Sequence, residues 1–372
     1  MNAVHGCRHI TTASSLEGYS RLIKVCGPLC SKPLRKPLFC CAIVLLAASS
    51  AGLAQRSKQE KAAGYDRAAR ATVLHEANVY ISPDADAQKV SLVTPGHEVV
   101  VVERSGPWVR VFANTDVEEK ADDADKTDFG DSDAENVTPA SGWIHDKGIV
   151  GPTTKGGDAI LYGAAATLEE QASEPHAPKA AAAQAHLLYR RVSDYFPDSS
   201  LAGEAAWRSA DVRWQVEKRD VSTLPSAREQ DASLRPALYD GEMKKIIKTY
   251  PGSKFAALAA FDLIDNKLCG DWQGLPKCPE MESGLYEKYA QQFPDSPKAA
   301  EALYHAAYRQ GVLVTMYTVE DNRKRSDAAA ARTQSLAEQL RAKFPASDYA
   351  ARGTSLAFRV AQGIATYGTD RD

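Results

Sequence analysis

Two hydrophobic periods divide this chain. From Ala68 to about Val150 the apolar positions alternate or run in short β-branched blocks, whereas over residues 184–367 they recur every three or four residues. The first pattern predicts strands and the second predicts amphipathic helices. ATVLHEANVY reads as one strand pair, KVSLV, EVVVVER and WVRVF as single strands, and GWIHDKGIV as a closing segment, with SPDADAQ, TPGH and SGPW as turns. Short strands with tight turns and no room for helices predict a small all-β barrel or sandwich.

The helical part repeats itself. LLYRRVSDYF, MKKIIKTY, LYEKYAQQF and LAEQLRAKF each run into a proline: Pro197, Pro251, Pro294 and Pro345. Val192, Ile246, Tyr289 and Leu340 stand five residues before the proline, and Phe196, Tyr250, Phe293 and Phe344 one before it. A spacing of four places each pair on one helix face. Proline biases the residue before it away from helix, so each helix stops there. Two residues on come Ser199, Ser253, Ser296 and Ser347, typed to cap the next helix, with Pro297 suited to its first position. Alanine follows at Ala202, Ala256, Ala299 and Ala350, and a second small residue at Ala205, Ala259, Ala302 and Gly353. Small residues three apart let helices approach closely. Large apolar residues come next at Trp207, Phe261, Tyr304 and Phe358.

Fixed self-similarity predicts an αα-hairpin solenoid. Successive prolines are 54, 43 and 51 residues apart, against the roughly 34 of tetratricopeptide repeats. The surplus belongs in loops near 219–235, 269–280 and 319–326 or in lengthened helices. Between the two domains, residues 151–183 read as a linker, with a short helix over 164–172, a break at Pro175 and Pro178, and a new helix near Ala180.

Lys32, Arg35 and Lys36 precede an apolar stretch from Leu38 to Ala48 and then small residues through Ala54. This predicts that residues 1–54 are an N-terminal extension and signal peptide, cleaved after Ala54, with an uncleaved anchor as the alternative. Residues 1–54 hold six Lys/Arg against one acid, so the remaining chain carries −8 where the whole carries −3. Residues 114–137 alone hold ten acids, Asp116 among them, against Lys120 and Lys126. That density predicts a solvated acidic insertion. Calcium-loop spacing is absent from it. No basic tract remains to track phosphates, so nucleic-acid binding is disfavoured.

Five of the seven cysteines precede residue 42, leaving Cys269 and Cys278 in the Gly- and Pro-rich stretch LCGDWQGLPKCPE. In an oxidising compartment a disulfide is expected, with two free thiols as the alternative. A zinc site needs further ligands that no nearby histidine supplies. None of the eight histidines has zinc-protease spacing, and no nucleophile elbow, phosphate loop or dinucleotide fingerprint is present. A Cys269–His305 pair is the one conceivable nucleophile, and the disulfide explains that cysteine better.

The β segment resembles the bacterial SH3 domains of cell-envelope proteins. The resemblance rests on Asn78-Val79, Ser82-Pro83, Lys89-Val90, Pro95-Gly96, Glu98-Val99, Trp108-Val109-Arg110-Val111 and Gly142-Trp143-Ile144, in that order. It departs at Tyr80, where arginine is usual, and at the acidic insertion. The helical segment resembles tetratricopeptide-like repeats. Its aromatic-Pro-x-Ser junction is similar to the lipoprotein subunit of the outer-membrane β-barrel assembly machinery and to the periplasmic coordinator of the Tol–Pal system.

The resemblances imply a multidomain chain, a small SH3-like barrel over residues 68–150 followed by a tetratricopeptide-like solenoid over 184–367. They imply a periplasmic or envelope scaffold that binds a protein partner and a peptide or peptidoglycan element, with peripheral membrane association at most. Tyr80, Trp108 and Trp143 are the candidate peptide-binding residues; core and rim packing of the two tryptophans in the barrel is the alternative. An assembly factor of an outer-membrane complex and a cell-wall amidase accessory protein are the other functions considered. No enzymatic activity, cofactor or metal is expected.

Overall fold

The computed structural model describes residues 70–118 and 138–368, all within one unit, Glu60–Asp372. The expected signal segment and most of the acidic insertion lie outside the described residues. Among the described residues no helix is long and apolar enough to cross a membrane.

Seven strands form an antiparallel sheet that curls into a half-barrel. They are β1 (Arg70–Val73), β2 (Ala77–Tyr80), β3 (Lys89–Val93), β4 (Glu98–Ser105), β5 (Trp108–Ala113), β6 (Ala140–His145) and β7 (Ile149–Val150). Their order is β3-β2-β6-β5-β4-β1-β7. Val73, Val79, Val99, Val109, Val111 and Ile144 point inward and are fully buried, each contributing roughly 1.5–3 kcal/mol of hydrophobic stabilisation.

ATVLHEANVY is not one hairpin. β1 pairs with β4 and β7, and β2 with β3 and β6. Parted in this way, the two strands make the Val-rich β4 and the Trp143 strand β6 interior strands with partners on both sides.

Ala113 pairs with Ala140, so the acidic insertion leaves and rejoins the sheet at one point. Asn114 pins that point. It adopts φ 58, a left-handed conformation that asparagine tolerates. Its Nδ2 donates to the carbonyls of Leu92 and Thr138, both at 2.9 Å.

Nine helices of eight residues or more follow among the described residues: α1 (Gly157–Ala172), α2 (Ala181–Tyr195), α3 (Ala202–Ser222), α4 (Gly241–Thr249), α5 (Lys254–Asp262), α6 (Lys277–Gln292), α7 (Ala299–Val319), α8 (Arg323–Lys343) and α9 (Asp348–Ala361). The expected linker is therefore mostly helix. α1 starts at Gly157 instead of residue 164, after a left-handed Gly156 and with Asp158 favouring the positive end of the helix dipole. Its Leu161 and Ala165 pack with Leu188, Tyr189 and Val192 of α2 and Val150 of β7, so one apolar cluster joins sheet and helices.

The four proline junctions share one geometry. The N–H groups of Phe196, Tyr250, Phe293 and Phe344 close the last helical turn on Val192, Ile246, Tyr289 and Leu340 at 2.8–3.0 Å. The aromatic carbonyl then accepts from the N–H of Ser199, Ser253, Ser296 or Ser347 at 2.9–3.2 Å. Capping differs between junctions. Ser253 and Ser347 are N-caps, accepting from Ala256 and Tyr349. After Ser199 and Ser296 an extra turn intervenes and the helix begins at Ala202 or Ala299, so Pro297 precedes its helix. Ser199 and Ser296 still accept from the N–H groups of Leu201 and Lys298, both at 3.1 Å, while Ser199 also donates to Asp158 at 2.6 Å and Ser296 shares a 2.6 Å bond with the Tyr289 hydroxyl. The alanines five and eight residues after each proline are buried, and a Cβ on Gly353 would sit 2.8 Å from Leu340.

Two of the expected insertions are loops. Residues 223–240 and 263–276 dock on each other, Gly270 and Asp271 donating to the carbonyls of Glu229 and Arg228 at 2.9 and 3.0 Å. The third is absent as a loop: only Glu320–Asn322 separate α7 from α8, and the surplus lengthens these helices to 21 residues each. Cys269 and Cys278 are disulfide-bonded, with Cα atoms 6.0 Å apart. Cys278 and Pro279 lie in the first turn of α6 and not in a loop.

Candidate functional site

Strand alternation builds a surface on the outer face of the sheet. In β5, Val109 and Val111 face the core, which turns Trp108, Arg110 and Phe112 outward. In β6, Gly142 and Ile144 are buried, which turns Trp143 and His145 outward. In β2, Val79 is buried and Tyr80 faces out.

Register aligns these side chains across strands. Tyr80 stands opposite Trp143, Trp143 opposite Arg110, and Arg110 opposite Glu103. With neighbouring strands about 4.8 Å apart, this row spans roughly 14 Å. Gly142 permits the approach of β2 to β6, since a Cβ there would sit 2.5 Å from the Tyr80 carbonyl oxygen.

A second group lies beside the row. Trp108 stacks on His145 with ring centroids 4.0 Å apart and meets the edge of Tyr80 at 5.5 Å. Those rings explain why Trp108 is only 7% exposed although it faces outward. Phe112, two residues along β5, remains 50% exposed. Neither tryptophan belongs to the valine core of the half-barrel. Arg104 is ion-paired with Asp146 at the margin. The side chain of Arg110 makes no hydrogen bond or ion pair with any described residue.

The structure thus brings Tyr80, Trp108 and Trp143 together and adds Arg110, Phe112 and His145. Sequence reasoning missed these three, although the alternation in WVRVF and WIH carried the signal once the valines and isoleucine are taken as inward.

Elsewhere, polar side chains meet in arrangements that serve packing. Ser209, His186 and Glu242 form the nearest thing to a nucleophile triad: Ser209 Oγ lies 3.0 Å from His186 Nδ1, and His186 Nε2 lies 3.7 Å from Glu242. Ser209 Oγ, however, donates to the His186 carbonyl at 2.9 Å, and Nδ1 lies 2.9 Å from the Ser209 carbonyl oxygen, which holds it as a donor. Burial pushes the imidazole below its ordinary value. A histidine locked in this way cannot take the serine proton. Cys269 is consumed by its disulfide, while His305 packs on Tyr286 at 5.0 Å, so that expected alternative pair is not assembled. Among the described residues no three His, Cys, Asp or Glu side chains are grouped as metal ligands.

No family model matches the chain, and no curated protein matches it.

Proposed function

We propose that this chain is a non-catalytic interaction scaffold of the cell envelope. An SH3-like half-barrel takes a peptide or cell-wall element, and a tetratricopeptide-like array holds a protein partner. The observation that carries this reading is the outward row of Tyr80, Trp143 and Arg110, flanked by Trp108 and Phe112. Aromatic faces beside a guanidinium suit an extended ligand that offers flat apolar groups and polar backbone. The Cys269–Cys278 disulfide supports export to an oxidising compartment. In the array Trp207, Phe261 and Tyr304, each ten residues after its proline, pack against the apolar clusters between helices, so the protein-partner half of the reading rests on the repeat architecture itself.

Co-sedimentation with purified sacculi tests the wall-binding half. Wild-type protein is expected in the pellet and Trp143→Ala in the supernatant. Wild-type protein that stays wholly in the supernatant would remove the cell wall as a ligand.

A further inference from the structure

We infer that Arg110 makes the outer face of the sheet selective for extended peptides bearing a carboxylate, with an apolar side chain two positions from it. This rests on the peptide-binding reading above. Arg104 is ion-paired with Asp146, whereas Arg110, although Glu103 stands opposite it, forms no ion pair with a described residue. Its surroundings are Trp143 opposite on β6, Glu103 opposite on β4, and Trp108 and Phe112 two residues away on its own strand. A guanidinium presents a planar fork that matches a carboxylate in bidentate fashion, and charge-assisted bonds are the strong ones.

The geometry also sets direction and spacing. Glu103 repels an acid on the β4 side, so the carboxylate comes in over Trp143 and Tyr80. Along a strand, same-face side chains recur every second residue, about 6.8 Å apart. A ligand running along β5 with its acid at Arg110 therefore sets the side chain two positions away over Trp108 or Phe112. Phe112 is the open platform of the two, being half exposed. Basic peptides gain nothing here.

An array of random octapeptides probed with the full chain tests this. The expected result is enrichment of Asp or Glu with an apolar residue two positions away. Arg110→Gln should lose the preference for acid over amide by about tenfold or more while retaining weak binding; Trp143→Ala should lose binding to both. Circular dichroism should be unchanged for Arg110→Gln, whose side chain is exposed. Bound peptides without acid enrichment, or an acid preference that survives Arg110→Gln, would overturn the inference and leave peptide binding standing. No octapeptide bound by the wild type would overturn peptide binding itself.

Discussion

Arg191 of α2 donates through Nη2 to Oδ2 of Asp116 at 2.6 Å, with both side chains buried between the half-barrel and the first helical pair. Arg191 Nε also donates to the Gly96 carbonyl at 2.9 Å, and a Cβ on Gly96 would sit 2.4 Å from Cβ of Leu187. Sheet and helices are therefore joined by a fitted polar contact. Burial alone would raise the Asp116 carboxyl, but a hydrogen bond from His97, the Arg191 charge and the Glu98 N–H together hold it down at about 2.

Arg191→Met leaves a buried carboxylate without its partner and should cost about 3–5 kcal/mol. The pH dependence has a definite sign. Asp116 is depressed on folding, so its contribution is full above its unfolded value near pH 4 and is lost as pH falls toward 2. Urea midpoints of wild type and Asp116→Asn should converge by on the order of 2 kcal/mol across that window. Parallel curves would show that the pair does not couple to folding.

Asp262 shifts the other way. Burial and the nearby Asp211 charge push it up to about 7, outweighing the lowering contact with the Trp207 indole. The native state then holds a proton that the unfolded chain releases near pH 4, so stability falls as pH rises toward 7 and levels off above it. Asp262→Asn should stabilise at pH 8 by on the order of 2 kcal/mol, discounted for partial exposure, and little at pH 4. The difference in thermal midpoint between those two pH values is the readout.

The junctions were legible in the sequence because proline, aromatic residue, serine and alanine each act locally, and the four copies corroborate one another. Asp116 was not. It sits among ten acids that compose as a solvated loop, and only the tertiary partner Arg191, 75 residues away, makes it a buried anchor. Helix α1 was half hidden because Gly157 and Gly163 weaken its local signal, while its stability comes from packing Leu161 and Ala165 on α2. The face around Trp143 was partly legible. Tyr80, Trp108 and Trp143 stand out as aromatic residues, but Arg110 joins them only through strand register.

The disulfide closes a ring whose Trp272 donates to buried Glu282 at 3.2 Å and packs on Tyr367 at 5.8 Å. Glu282 also accepts from the Cys269 N–H at 2.9 Å and from Arg309 at 2.7 Å. Replacing both cysteines by serine should cost roughly 2–3 kcal/mol in the chain-entropy model for so short a ring. Equal urea midpoints for this variant and the oxidised wild type would show that the surrounding hydrogen bonds hold the loop alone.

Ala256 and Ala302 are buried where post-proline helices meet their neighbours. Leucine at either should overpack the contact and cost about 1–3 kcal/mol. Lys298 reads as an exposed charge in the sequence, yet its Nζ pairs with Glu301 at 2.8 Å and lies 5.2 Å from the centre of the Phe261 ring. Lys324, exposed on α8, is the better control, and its replacement by alanine should stay within about 0.5 kcal/mol. Equal midpoints for all three variants would contradict close packing at these positions.

Chemical-shift mapping with soluble muropeptides tests most directly the claim that the outer face of the sheet is a ligand site. The account predicts saturable amide shifts at Tyr80, Arg110, Phe112, Trp143 and His145, abolished by Trp143→Ala, while the buried valines of β4 and β5 stay still. Shifts confined to the helical array, or none at saturating muropeptide, would contradict it.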